Sequence, residues 1–204
     1  MAASPKPTSP SRAPPAGTDP EKYFNETLRA SPHGSAELTV SFQSFQFYWK
    51  LPTPQQLRQY DMSLVDAIQR DDVGPLAAAV AAGKSLDACN RYGESLVHAA
   101  CRAGSPNALA YVLQHGGRLR ACDSNGRLPL HQCCMASPPS FAIALRILTA
   151  EPRQAHARDA LGSTPFQAVP SSERDAWCRF VYENRRALRG LASPGGTERA
   201  QPAP

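Results

Sequence analysis

Five residues in the middle of the chain are of types that could do chemistry beyond folding: His98, Cys101, His131, Cys133 and Cys134, with Cys89 and Cys122 nearby in sequence. Imidazole and thiolate are preferred zinc ligands, and a cysteine beside a histidine is the core of a thiol nucleophile with its base. The spacings are H-x-x-C at 98–101 and H-x-C-C at 131–134, not paired C-x-x-C knuckles. A zinc site needs four ligands converging on one point, and Cys133 and Cys134 leave a helix in different directions. A Cys–His nucleophile needs an orienting third group, an oxyanion hole and a cleft, and no motif in the chain supplies them. There is no glycine-rich phosphate loop and no paired-carboxylate motif either. The competing reading is structural, with each cysteine a small buried hydrophobe. We expect that one, with no metal, cofactor or catalysis, and keep the zinc and thiol readings as its rivals.

The elements that must position these residues show themselves through a period. Gly93 opens GESLVHAAC, Gly126 opens GRLPLHQCC and Gly162 opens GSTPFQAVP, at intervals of 33 and 36 residues. The surplus of three falls in Ser137-Pro138-Pro139-Ser140, a loop-like insertion. Gly83, Gly116 and Pro152 each stand ten residues before the next of these glycines, and the first two suit a left-handed helix end. Leu86, Leu119 and Ala155 follow them by three, as turn-packing residues. Asn90, Asp123 and Asp159 precede the turn glycines by three, as polar turn starters. Residues 63–83 form a further, degenerate unit. In this register His98 and His131 are equivalent, as are Cys101 and Cys134, and Ala100 and Cys133. Cys89 and Cys122 also lie one period apart. Stacked helices sit ~8–10 Å from each other, so no disulfide is expected between them, because its Cα atoms must come within ~7 Å.

A repeat near 33 residues with a turn glycine and a T-P-L-H-type helix start resembles the ankyrin repeat. The likeness covers residues 63–170, about three and a half repeats. NRYGESLVHAACRAG, DSNGRLPLHQCC and TPFQAV are further similar to ankyrin-repeat proteins of diatoms and related microbial eukaryotes. Leu96, Leu128, Gln167 and Val65 depart from the motif at its proline, threonine and histidine positions. The resemblance implies an all-α solenoid of stacked helix pairs with projecting β-turns, in which Gly93, His98, Gly126, Pro129, His131, Gly162, Thr164 and Pro165 are structural motif residues. The motif histidine would tie neighbouring turns by hydrogen bonds. Partner contacts would fall on the turn tips and first helices: Arg91, Tyr92, Glu94, Arg102 and Ala103, then Ser124, Asn125, Arg127 and Met135, then Leu161 and Ser163. Tyrosine and arginine are residue types that anchor interfaces. The mildly basic balance of this face suits an acidic or phosphorylated peptide.

The flanks must cover an array of this length, since stacked repeats leave apolar ends. Leu38, Phe42, Phe45 and Trp49 share one helical face, and Pro52 and Pro54 break any helix they form. They are expected to cap the first repeat or to dock on a partner. After Pro170-Ser171-Ser172, the residues Trp177, Phe180 and Val181 line one face of a capping helix, with Glu183, Arg185 and Arg186 facing away. The expected organisation is a Pro/Ser-rich disordered tail over 1–20, an aromatic-rich cap segment over 21–62, repeats over 63–170, a capping helix over 171–190 and a disordered tail over 191–204.

Composition agrees. Twenty prolines in 204 residues are about twice the usual share. The net charge of +5 is spread as +1, +2 and +2 over residues 1–62, 63–170 and 171–204, with no basic block, so nothing points to nucleic acid. No apolar run reaches the ~18 residues that cross a bilayer. The N-terminus has no secretory apolar core, while its acid-free start is compatible with organelle targeting. Six cysteines then imply a reducing compartment, cytoplasmic or nuclear. The expected function is a monomeric, non-enzymatic adaptor or scaffold that binds another protein. The alternative is a regulatory or inhibitory subunit with phosphorylatable tails, for Ser4, Ser9, Ser31, Ser137 and Ser193 each precede proline.

Overall fold

The computed structural model describes residues 13–29 and 51–191, with the side chains of the last two left aside. The aromatic face at Leu38, Phe42, Phe45 and Trp49, and most of both tails, lie outside the described residues. The chain divides into two compact units, one holding residues 51–173 and the other combining 13–29 with 174–191. Among the described residues there is no strand, only an isolated antiparallel bridge between Cys89 and Ser95.

In the smaller unit, α1 (Pro20–Arg29) packs on α9 (Arg174–Glu183) and α10 (Arg185–Leu191). Its core contains Tyr23, Phe24, Trp177, Phe180, Val181 and Leu188, with the Trp177 and Phe180 rings edge to face at 5.5 Å. Side-chain-to-backbone hydrogen bonds join its two stretches of chain. The Gly17 N–H donates to Asp175 at 2.9 Å and Arg189 Nε donates to the Thr27 carbonyl at 3.1 Å. The expected helix over 171–190 is therefore two helices, and Arg185 is half-buried, its guanidinium 4.2 Å over the Tyr182 ring.

The larger unit is an all-α solenoid. It opens with α2 (Pro54–Gln59), followed by three helix pairs: α3 (Met62–Gln69) with α4 (Val73–Ala81), α5 (Leu96–Ala103) with α6 (Pro106–Gln114), and α7 (Pro129–Met135) with α8 (Phe141–Ala150). First helices stack in the order α3, α5, α7, and second helices in the order α4, α6, α8. In the last repeat a 3₁₀ turn, Phe166–Ala168, packs on α7 where a first helix would lie. Pro170 stops it, since proline offers no N–H to continue a helix. Leu64, Ile68, Leu76, Leu96, Leu109, Leu130, Ile143, Ile147, Leu148 and Phe166 form the core, and Ala99, Ala100, Cys101, Cys133 and Ala144 are the small buried residues between.

Pro54 starts a helix as well as barring one. It sits in the first turn of α2, where a missing N–H costs nothing. The Gln56 N–H donates to Thr53 Oγ1 at 3.2 Å and the Thr53 N–H donates to Gln56 Oε1 at 2.9 Å, a reciprocal capping box.

A second device joins repeats. Ser105 begins α6 but its hydroxyl donates to the Ile68 carbonyl at 2.6 Å rather than capping its own helix. Asp71 of the preceding repeat does that work. Its carboxylate accepts the Ala108 N–H at 2.8 Å and the Asn107 side-chain amide at 2.9 Å, and its φ of 52° turns the chain out of α3. Asp71→Ala is expected to cost about 1–2 kcal/mol, as for a lost N-cap, read from urea unfolding. Asp71→Asn retains an acceptor oxygen and should lose clearly less, and equal losses would show that the carboxylate does not cap α6.

Candidate functional site

Three turns project from the solenoid and share one hydrogen-bond pattern. In each, the glycine N–H donates to the carbonyl of the residue three before it: Gly93 to Asn90, Gly126 to Asp123 and Gly162 to Asp159, all at 2.9 Å. The side-chain oxygen of that Asn or Asp accepts two further N–H groups, those of Tyr92 and Glu94, Asn125 and Arg127, and Leu161 and Ser163, at 2.9–3.1 Å. The glycines have φ of 74°, 73° and 81°, where a Cβ would be strained. Neighbouring turns are then laced together. The Ser124 N–H donates to the Tyr92 carbonyl at 2.7 Å, and the Ala160 N–H to the Asn125 carbonyl at 2.8 Å.

Beneath this ladder lie the two histidines. His98 Nδ1 accepts the Ser95 N–H at 3.2 Å and meets the Ser95 hydroxyl at 2.8 Å, while Nε2 lies 3.0 Å from the Arg127 carbonyl. His131 Nδ1 accepts the Leu128 N–H at 3.1 Å, and Nε2 lies 3.2 Å from the Ser163 carbonyl. A backbone N–H can only donate and a carbonyl can only accept, so both rings must be neutral with the proton on Nε2. Each ring thus links the start of its own helix to the turn of the next repeat. Both residues are fully buried. Desolvation holds both imidazoles below their ordinary pKa, against the opposing pull of the carbonyl acceptors and nearby acids. Gln167 stands in the histidine position of the last repeat and its Oε1 accepts the Thr164 N–H at 3.0 Å. It reproduces the Nδ1 half of the ring's task.

Neither ring has a nitrogen to spare for a metal, and among the described residues no group of three or more His, Cys, Asp or Glu could hold one. All six cysteines are buried free thiols. Burial pushes Cys101 and Cys134 well above the ordinary thiol pKa, raises Cys89, and takes Cys122 up to about 12 and Cys178 up to about 11. The neighbouring Cys133 adds to the upward shift of Cys101 where α5 packs on α7. Thiols that burial keeps protonated are poor nucleophiles, and Cys89, Cys101, Cys122 and Cys134 pack inside the repeats.

The outward residues divide into two groups. Tyr92 is 52% exposed on the first turn, Met135 38% at the end of α7 and Leu161 82% on the third turn. Arg91, Arg102, Ala103, Ser124 and Asn125 are also exposed. The Arg91 guanidinium lies 4.7 Å over the Tyr92 ring, and its Nη2 donates to the Tyr92 hydroxyl at 2.6 Å. Arg102 pairs with Glu94, whose other oxygen accepts from Asn90 at 3.2 Å. Arg127 and Ser163 face inward instead. Arg127 is half-buried with Nε 3.7 Å from buried Asp159, and the Ser163 carbonyl is the acceptor for His131. The face is consequently less basic than its arginine content suggests.

Tyr60 was missed by the motif search. It is half-buried beside Asn90, Glu94 and Arg102, and desolvation, reinforced by Glu94, raises its hydroxyl pKa. Counting one 33-residue period back from Gly93 lands on it. It sits just after α2, which thus occupies the sequence position of a first turn.

A sequence model of ankyrin repeats matches residues 64–169 in three copies. With helix pairs, turn ladder and histidine ties in place over the same residues, the chain belongs to the ankyrin-repeat family. Among curated proteins, none matches the chain. Ankyrin repeats generally mediate protein–protein interaction and are typically non-enzymatic modules. No described helix is long and apolar enough to cross a membrane.

The buried rings make stability depend on pH with a definite sign. A histidine whose folded pKa lies below its unfolded value takes up a proton more readily in the unfolded chain. Each ring's contribution is fully present above about pH 6.5 and is lost as pH falls below it, at up to about 1.4 kcal/mol per pH unit. The Tm is expected to fall between about pH 7.5 and about pH 5, and the fall should be shallower in His98→Gln with His131→Gln. Equal slopes in wild type and the double variant would show that the rings are not held neutral.

Proposed function

We propose that this chain is an adaptor or scaffold that captures another protein on its turn tips and first-helix face. The observation that carries the proposal is the exposure of the large apolar side chains Tyr92, Met135 and Leu161, one on each successive repeat of the register. Large apolar side chains held on rigid turns lose little entropy on binding and suit the anchors of an interface. Arg91 and Arg102 flank the first anchor and favour a ligand with apolar residues and an acidic or phosphorylated group between them. Glu94, Ala103, Ser124 and Asn125 complete the rim, while Arg127 and Ser163 act by holding the turns that present it. The protein acts as a monomer in the cytosol or nucleus, a setting that suits six unpaired thiols.

Affinity purification from the native cell with wild-type bait is expected to recover a partner that the Tyr92→Ala, Met135→Ala, Leu161→Ala triple variant recovers at least about tenfold less. That loss corresponds to about 1.4 kcal/mol. The far-UV circular dichroism of the variant should match wild type. Undiminished recovery would place binding elsewhere.

A further inference from the structure

Asp71, Gly104 and Ser137 are spaced 33 residues apart and occupy the same point in successive repeats, where the chain leaves a first helix. At the first such joint, Asp71 bonds to Asn107 and Ala108 at the start of the next repeat's second helix. The second joint has no side chain, because Gly104 stands there. At the third, Ser137 Oγ donates to Glu173 Oε1 at 2.6 Å, spanning the same 36 residues as Asp71 to Asn107. The loop here carries the extra residues of the 36-residue interval, and both Ser137 and Pro138 are exposed. Among the described residues no lysine or arginine is bonded to either Ser137 or Glu173.

We propose that Ser137 is a phosphorylation site for a proline-directed serine/threonine kinase, and that the phosphate opens the joint its hydroxyl closes. An exposed serine followed by proline on an irregular loop presents the minimal pattern such a kinase reads. The Ser137 oxygen attacks the γ-phosphorus of Mg-ATP, the ester bond forms as the bond to ADP breaks, and the hydroxyl proton passes to the kinase's base. The product has lost the hydroxyl proton that Ser137 donates to Glu173. It brings a charge of about −1.5 to −2 against the Glu173 carboxylate, so a charge-assisted hydrogen bond becomes a like-charge contact, with no lysine or arginine bonded to either group among the described residues. The loop around Ser137 and the turn at 171–173 then separate.

The full-length chain, incubated with a purified proline-directed kinase and Mg-ATP, is expected to carry phosphate on the tryptic peptide 128–146, and the Ser137→Ala variant is not. Phosphate on the Ser-Pro sites at 4, 9, 31 or 193 of the same molecules, with 128–146 unmodified, would overturn the assignment. Amide hydrogen exchange reads the consequence. Ser137→Glu should speed exchange around residue 137 and across 171–173 by about threefold over Ser137→Ala, as for one exposed like-charge pair. Adding Glu173→Gln should reverse it. Equal exchange in Ser137→Glu and Ser137→Ala would contradict the opening of the joint.

Discussion

A buried imidazole with a backbone N–H on one nitrogen and a backbone carbonyl on the other fastens each of the last two helix pairs to the repeat that follows it. His98 and His131 do this at the same place in successive repeats, and the geometry permits one protonation state and one tautomer. The ring is rigid, so it fixes the distance between a helix start and the following turn. Losing it would strand buried backbone groups, each costing about 1–3 kcal/mol. The same constraint removes the histidines from chemistry, because a ring with both nitrogens bonded to backbone can neither accept a substrate proton nor hold a metal.

The rest of the larger unit follows from that fastening. Held turns can bond to each other, and the Ser124–Tyr92 and Ala160–Asn125 links make three separate hairpins into one ladder. The ladder fixes which side chains point inward. Asp159 receives Arg127 as well as its own turn's N–H groups, while Tyr92 and Leu161 at the tips have nowhere to bury. The array ends by the same logic. Gln167 can satisfy its own repeat's N–H but is no ring, and Val65 in the first repeat has no polar group at all. Short elements stand at the two ends, α2 on one side and a 3₁₀ turn on the other.

The repeat was legible because glycine, histidine and Asn/Asp mark positions that backbone geometry demands, and they recur at a countable interval. The separation of Cys101 from surface chemistry was legible for the same reason, since register placed it beside Cys133 and Cys134 in small-residue positions. Arg127 was not. Its inward turn depends on Asp159 one repeat later, and pairing across an irregular 36-residue interval is invisible to a local pattern. In the smaller unit the Trp177, Phe180 and Val181 face was legible but α1 was not, because α1 packs on helices some 150 residues away and Tyr23 and Phe24 alone make no periodic signal. Pro54 misled in a simple way: a proline ends one helix and begins another, and only Thr53 with Gln56 three residues later tells which.

The two histidines are neutral structural bonds between repeats. Long-range ¹H–¹⁵N correlation spectra of the imidazole rings at neutral pH measure this directly. The account predicts that His98 and His131 both show the Nε2–H tautomer, with slowly exchanging ring protons. A metal-shifted nitrogen, an Nδ1–H tautomer or an imidazolium on either ring would contradict it.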